Sequence, residues 1–303
     1  MPRILAVAVT YNRSAMVTRL ARAVAAGSVV PDELLVVDNA STDDTVAALR
    51  ELGVRVHEMG RNAGGAGGFA AGLEAFLDSD ADLVWLMDDD GVPAPDCLEL
   101  LLPYVDRYDF VGPAVVSDSD PEQLCFPIRL PGGSRTVRRL ADVEAAAHGS
   151  HDGGLVEDVV IPFNGVLVTR ALVERIGVVR EELFIWGDDV EYLWRARRAG
   201  ARIATVVAAR FAHPATDDLG TPEMFGLTTY NHSPSDLKHY CMCRNNVANL
   251  REYAGPLGVL AFVVKTVWFY LLTKPDLGRL RMSLGAMHDG FYGRWGRHER
   301  YLP

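Results

Sequence analysis

Two hydrophobic periods alternate along the first third of this chain. Residues 4–10 form a continuous apolar run, the pattern of a strand buried on both faces. Residues 14–26 follow with apolar side chains at helical spacing: Met16, Val17, Leu20 and Val24. A second strand is predicted over 34–37, closing at Asp38-Asn39. Ser41 or Thr42 then offers an N-cap, and Asp43 and Asp44 suit the first turn of a helix completed by 46–52. A third strand over 54–57 leads into a glycine-rich segment, 60–69, and a helix to about Leu77. A fourth run, 83–87, ends abruptly in three aspartates, Asp88, Asp89 and Asp90.

Strands alternating with helices at this pace predict an α/β fold with a mostly parallel sheet. Ligands in such sheets sit beyond the carboxyl ends of the strands. Residues 10–13, Asp38-Asn39 and the aspartate triplet all fall there. The second half is less regular. Residues 131–158, rich in Gly, Arg and Ala, read as an insertion or mobile loop, with a short helix possible over 137–147. A strand is expected over 161–169, a helix over 188–198 and a strand over 202–207. From Ser235 onward the pattern is helical nearly to the end. The expected division is a catalytic domain over 1–230 and a helical region over 231–303.

Composition changes this picture in two ways. The net charge of −10 over 303 residues argues against nucleic acid as a partner. The C-terminal end is nonetheless basic, with seven Lys/Arg against three Asp/Glu over 265–300. The apolar stretch 256–273, interrupted by Lys265, falls short of 18 uninterrupted apolar residues, so a spanning helix is not expected. With basic residues around it, the stretch suits an anionic membrane surface, or else a core or homo-oligomer interface. Cys97, Cys125, Cys241 and Cys243 have neither metal-type nor disulfide-type spacing, and no signal-peptide pattern precedes the first strand. Free thiols in a reducing cytoplasm are the expectation, with the chain held peripherally at the inner face of the membrane.

The candidate chemistry is acidic. Three adjacent carboxylates raise one another's pKa and attract a cation. If strand geometry persists, Asp88 and Asp90 point the same way, able to share a hard divalent ion, and Asp89 points opposite. A solvated acidic turn is the plain alternative. The glycine-rich segment lacks both a P-loop lysine and the third glycine of a dinucleotide fingerprint. It leaves a helix start beside Arg61 and Asn62 able to hold an anion, or glycines serving only close packing. About a hundred residues further on, Trp186 leads into Asp188, Asp189 and Glu191 at a helix start. That is either capping or a general base, ionised at pH 7 if its pKa is ordinary. His213, a few residues past the last strand, is a candidate third metal ligand that would favour Mn²⁺ over Mg²⁺.

In this order, Val9-Thr-Tyr-Asn-Arg13, Val37-Asp-Asn-x-Ser41, Arg61-Asn-x-Gly-Gly65, Asp88-Asp-Asp90, Trp186-Gly-Asp-Asp-Val-Glu191 and His213 resemble family 2 of the inverting glycosyltransferases. That likeness covers about residues 4–215 and implies a GT-A (Rossmann-like) fold with a helical C-terminal extension. Asn62-x-Gly-Gly-Ala-Gly-Gly-Phe69, Phe126-Pro-Ile-Arg129, Phe163-Asn-Gly165, His213-Pro214 and residues 268–273 resemble more narrowly the actinobacterial galactofuranosyltransferases that initiate cell-wall galactan. Those enzymes imply a UDP-galactofuranose donor and a polyprenyl-diphosphate-linked GlcNAc-rhamnose acceptor. Rhamnosyltransferases using dTDP-rhamnose share many of these motifs. A nucleotidylyltransferase is disfavoured, because no Gly-rich basic loop follows the first strand.

Carried onto this chain, the resemblance implies that Thr10, Tyr11 and Arg13 line the nucleotide pocket and that Asp38 meets the uracil. Arg61, Asn62, Asp88 and Asp89 lie near nucleotide or diphosphate. Asp88, Asp90 and His213 hold Mn²⁺ or Mg²⁺. Asp189 is the base, with Asp188 beside it and Glu191 orienting the acceptor, while Trp186, Asn164 and Gly165 form the acceptor side. Spacing alone leaves the choice between Asp188 and Asp189 open.

Overall fold

The computed structural model describes residues 2–131, 136–148, 154–215, 223–224 and 228–302. The chain forms two compact units, one of residues 1–179 with 195–215 and one of residues 180–194 with 216–303. The segment carrying Trp186, Asp188, Asp189 and Glu191 therefore groups with the C-terminal helices.

In the first unit the alternating pattern yields β1 (Ile4–Thr10), α1 (Ser14–Ala25), β2 (Glu33–Asp38), α2 (Thr45–Glu51), β3 (Arg55–Glu58), α3 (Gly64–Leu77) and β4 (Leu83–Asp88). Next come β5 (Val92–Pro93), α4 (Cys97–Leu101), β6 (Phe110–Ser117), β7 (Gln123–Arg129), β8 (Thr136–Arg139) and α5 (Leu140–His148). The series ends with β9 (Leu155–Glu157), β10 (Asn164–Thr169), α6 (Arg170–Ile176) and β11 (Ile203–His213); between α6 and β11 runs α7 (Asp188–Arg198), whose start, up to Trp194, belongs to the second unit. The main sheet runs β3-β2-β1-β4-β10-β6-β11-β5. The first four strands are parallel, β10 is antiparallel to both its neighbours, and β11 is parallel to β6. Register sets Thr10 opposite Asp38 and Val9 opposite Asp88, so the three polar strand ends share one edge.

Every residue of β1 and of β6 is buried, as continuous apolar runs require. Helix α3 packs on the sheet through its glycines. A Cβ on Gly68 would lie 2.3 Å from Val9 Cγ1, and one on Gly72 2.4 Å from Val7 Cγ1. The structural reading of the glycine run thus holds for these two.

Several expectations need correction. Helix α2 begins at Thr45 with Asp44 at its N-cap, not at Ser41 or Thr42. Those two instead bind Asn12: Ser41 Oγ accepts from its backbone N–H, and Thr42 N–H donates to its Oδ1. Where described, residues 131–158 are not loose. Strand β8 pairs with β7, and α5 buries Leu140, Val143 and Ala147 against Val116 and Leu124. Apolar positions at helical spacing lie hidden there in a Gly- and Arg-rich composition. Strand β11 runs 11 residues and includes His213, and Met16 faces solvent.

The second unit is built on α8 (Asp236–Tyr253), α9 (Gly255–Trp268) with a π-helical turn over Phe269–Thr273, and α10 (Leu277–Phe291). Ser235 caps α8 and Asp276 caps α10 by accepting backbone N–H groups. The core gathers Tyr240, Phe269, Tyr270 and Met287. Outward, α9 and its π-turn expose Leu257, Leu260, Val264, Trp268 and Leu272. Gly255–Thr273 forms 19 helical residues of mean hydropathy 1.7, long and apolar enough to cross a membrane by length and composition. Lys265 interrupts the apolar run, yet one continuous helical rod passes across it. The four cysteines are buried and unpaired, as their spacing predicts.

Candidate functional site

In the first unit the polar edge of the sheet converges on Arg13. Strand β4 stops at Asp88, so alternation does not continue through the triplet. Asp89 and Asp90 lie in the turn that follows, and both accept from Arg13 Nη1 at 2.8 Å. The expectation that Asp89 points away from its neighbour fails for that reason. Asp89 is buried and also accepts from Thr10 Oγ1 at 2.8 Å. Burial raises its pKa, and Arg13 and Thr10 oppose the rise.

His213 Nε2 lies 3.0 Å from Asp90 Oδ1, while Nδ1 faces the Pro214 carbonyl at 2.8 Å and Cys125 Sγ at 3.3 Å. Burial works against the imidazolium, but the Asp90 hydrogen bond and Cys125 outweigh it and push the pKa up to about 11. Burial likewise disfavours the Asp90 carboxylate, yet His213 and Arg13 bring its pKa down to about 2.

The donor set suits a divalent cation in part. The Pro214 carbonyl engages Nδ1, as in carbonyl-held histidines at metal sites, so that Nε2, which now donates to Asp90, would face a cation with its lone pair once its proton is displaced. Two neighbouring donors with bonds of about 2.0–2.2 Å to one ion stand about 3 Å apart, the separation seen between Asp90 and His213. Among the described residues no group of three His, Cys, Asp or Glu side chains gathers at ligand distance. The backbone N–H of Asp88 donates to the Phe163 carbonyl.

Asp38 is buried. Its Oδ2 accepts from Ser41 N–H at 2.9 Å, and its Oδ1 has no hydrogen-bond partner. Asn62 Oδ1 accepts from Gly64 N–H, so this side chain serves the start of α3, while Arg61 and Tyr11 are exposed. Asn39 ties the same helix start down, donating to the Gly64 carbonyl and accepting from Ala63 N–H. Asn164 is buried with Oδ1 unpartnered. Gly165 has a positive φ of 74°, and a Cβ there would lie 2.6 Å from the Phe211 ring.

In the second unit, Trp186, Asp188, Asp189 and Glu191 form the entry to α7. Phe184 stands at φ 65° and ψ −67°, with Ile185 N–H donating to the Leu183 carbonyl at 2.8 Å. This is a γ-turn of the rarer, strained sense. Trp186 and Gly187 also have positive φ, 71° and 87°. Positive φ costs a bulky non-glycine residue roughly 1–3 kcal/mol, so something must hold Phe184 and Trp186 there.

Asp188 and Glu191 are buried. The Asp188 pKa is raised by burial and then by Asp189, against backbone N–H groups that favour its charge. Burial raises Asp189 too, against the N–H of Val190, which donates to its Oδ1 at 2.7 Å. The condition on which the sequence made a base here ionised at pH 7, an ordinary pKa, is thus not met. Glu191 Oε1 accepts from Tyr253 Oη at 2.7 Å, a partner 62 residues away that sequence reading missed.

A model of glycosyl transferase family 2 matches residues 6–156. The galactofuranosyltransferase GlfT1 of Mycolicibacterium smegmatis is 31% identical over 301 residues, covering 98% of this chain and 97% of that protein. Among solved structures, S. aureus TarS 1–349 in complex with UDP-GlcNAc is similar with TM-score 0.61 at 15% identity, covering 99% of this chain and 84% of that one. A mannosyltransferase from Pyrobaculum calidifontis in complex with GDP-Man and Mn²⁺ has TM-score 0.55 at 15% identity, covering 99% and 78%. These structural likenesses establish a GT-A-like fold, a mostly parallel sheet with a helical C-terminal part. The chain belongs to glycosyl transferase family 2 and is a glycosyltransferase.

Proposed function

We propose that this enzyme transfers galactofuranose, with inversion, from UDP-galactofuranose to a polyprenyl-diphosphate-linked GlcNAc-rhamnose acceptor. The observation that carries this reading is the 31% identity to GlfT1 across nearly the whole of both chains. The unpartnered, buried Asp38 Oδ1 supports a uridine donor, because it is an acceptor in wait of an N–H such as uracil's. Thr10 and Arg13, beside it on the same sheet edge, would flank the nucleotide.

The reaction is a single displacement. The acceptor hydroxyl oxygen bonds to the anomeric carbon, the bond from that carbon to UDP breaks, and the hydroxyl proton passes to a carboxylate of the Asp188–Asp189 pair. Their raised pKa values bring them nearer the operating pH, where a general base is most effective. Glu191, held by Tyr253, would orient the acceptor. Asp90 and His213, with Asp88, would hold Mn²⁺ or Mg²⁺, which when bound supplies countercharge to the departing diphosphate.

The lipid-linked acceptor accords with α9. Its exposed apolar stripe, with Lys265, Lys274 and Arg281 nearby, would rest on an anionic membrane surface. The decisive test offers a panel of UDP- and dTDP-sugars with a synthetic lipid-linked rhamnosyl acceptor and reads the product linkage by NMR. Transfer from dTDP-rhamnose rather than UDP-galactofuranose would replace this reading with a rhamnosyltransferase.

A further inference from the structure

One face of α8 is spent on backbone carbonyls of the strained segment that precedes α7. Arg244 is fully buried. Its Nη2 donates to the carbonyls of Leu183 at 2.8 Å and Glu182 at 3.2 Å. Its Nε donates to Asn245 Oδ1 at 2.9 Å, which fixes the orientation of that amide. Asn245 Nδ2, so directed, reaches the carbonyls of Leu183 at 2.9 Å, Ile185 at 3.1 Å and Trp186 at 2.7 Å. One helical turn later Asn249 Nδ2 donates to the Gly187 carbonyl at 2.8 Å. That same carbonyl accepts from Glu191 N–H at 3.0 Å, the first hydrogen bond of α7.

These bonds fall on the stretch where φ is positive at Phe184, Trp186 and Gly187. A strained backbone persists only where its surroundings over-determine it. Three buried polar side chains from one helix supply that determination here. Asn245 and Asn249 stand four residues apart and so share a face.

We propose that Asn245 and Asn249, backed by Arg244, are positioning residues for glycosyl transfer. They hold the 183–187 backbone in its strained form and thereby fix where α7 begins and where Asp188, Asp189 and Glu191 stand. The inference rests on the proposed role of those carboxylates in the reaction. None of the three need touch substrate, because their bonds run to the loop that carries the acid groups.

The test uses the whole chain with Asn249→Leu, which keeps the branched heavy-atom outline, adds bulk at its tips and removes the donor. Asn245→Leu is the second variant should the first not fold. Loss of outer-shell support lowers kcat about 10–100-fold. The KM for the UDP-sugar stays within about twofold, since an interaction used only in the chemical step has been lost. Amide exchange over residues 183–191 accelerates. The low-pH limb of kcat moves to lower pH, because loosened carboxylates regain water and lose part of their raised pKa. A mere loss of folded enzyme would not move that limb. Wild-type kcat and limb, or unchanged exchange over 183–191 in a folded variant, would overturn the proposal. Asp188→Asn and Asp189→Asn run alongside keep the two readings apart. If both stay active while Asn249→Leu is impaired and loosened, the base assignment falls and the loop-holding role stands.

Discussion

Tyr253 Oη donates to Glu191 Oε1 at 2.7 Å, joining the last turn of α8 to the first turn of α7. The bond points a buried carboxylate that would otherwise rely on fewer partners for its orientation. Tyr253→Phe removes it and little else. The expected result is a rise of about 5–20-fold in acceptor KM, on the order of the 1–2 kcal/mol that such a bond carries, with donor KM unchanged. Steady-state kinetics with each substrate varied in turn checks this, and an unchanged acceptor KM would remove Glu191 from acceptor orientation.

Asp189→Asn is expected to lower transfer about 10²–10⁴-fold while UDP affinity by calorimetry stays near wild type. Asp188→Asn, measured in parallel, assigns the base: the greater loss marks the carboxylate that takes the proton. Full transfer by both variants would end the base assignment to this pair.

The raised pKa of Asp188 also has a thermodynamic sign. Its folded-state pKa lies above the unfolded value, so its contribution to stability is greatest below the unfolded pKa and declines as pH rises through the folded one. At neutral pH, between the unfolded value and the folded one of about 8, the buried group must take up a proton or keep an unfavourable charge, and either costs stability. Asp188→Asn should therefore raise the melting temperature there, by about 2–4 °C for each kcal/mol recovered, and less at low pH. Equal melting shifts at both pH values would contradict the assignment.

Asp90→Ala removes one member of the 3.0 Å pair with His213. Metal-dependent UDP binding should weaken about 10–100-fold, and His213→Ala should do the same. Titration calorimetry with and without Mn²⁺ reads the effect. Wild-type metal dependence in both variants would dissociate the pair from the cation.

Gly72→Ala tests the close packing of α3 on β1. Its methyl would meet Val7 Cγ1 at 2.4 Å, so a loss of about 1–3 kcal/mol on chemical unfolding is expected although alanine is the better helix former. A stabilised variant would show that the contact yields easily.

Much of the first unit was readable because its strands are short apolar runs that end in polar residues. Ile4–Thr10 and Leu83–Asp88 declare themselves in this way, and parallel register then carries Thr10, Asp38 and Asp88 to one edge. Strand β6, equally apolar, escaped notice because Gly112 and Pro113 interrupt its middle. The register of Asp89 and Asp90 was misjudged because the strand ends one residue before alternation would have mattered. The partners of the acid motif were harder still. Arg244, Asn245, Asn249 and Tyr253 lie about 60 residues from the carbonyls and carboxylate they serve. Their trace in the sequence is an Arg and two amides four apart on a helix whose other buried side chains are mostly apolar or aromatic.

The grip of α8 on the Trp186 loop has a consequence for substitution. Its hydrogen bonds reach main-chain oxygens, which every amino acid carries. The side chains at positions 185 and 186 take no part in these bonds, although both pack against the core of the second unit. Replacing them would leave every one of these hydrogen bonds in place. If the Trp186 side chain meets the acceptor as proposed, recognition and scaffolding rest on different residues, and the one can change while the other stays.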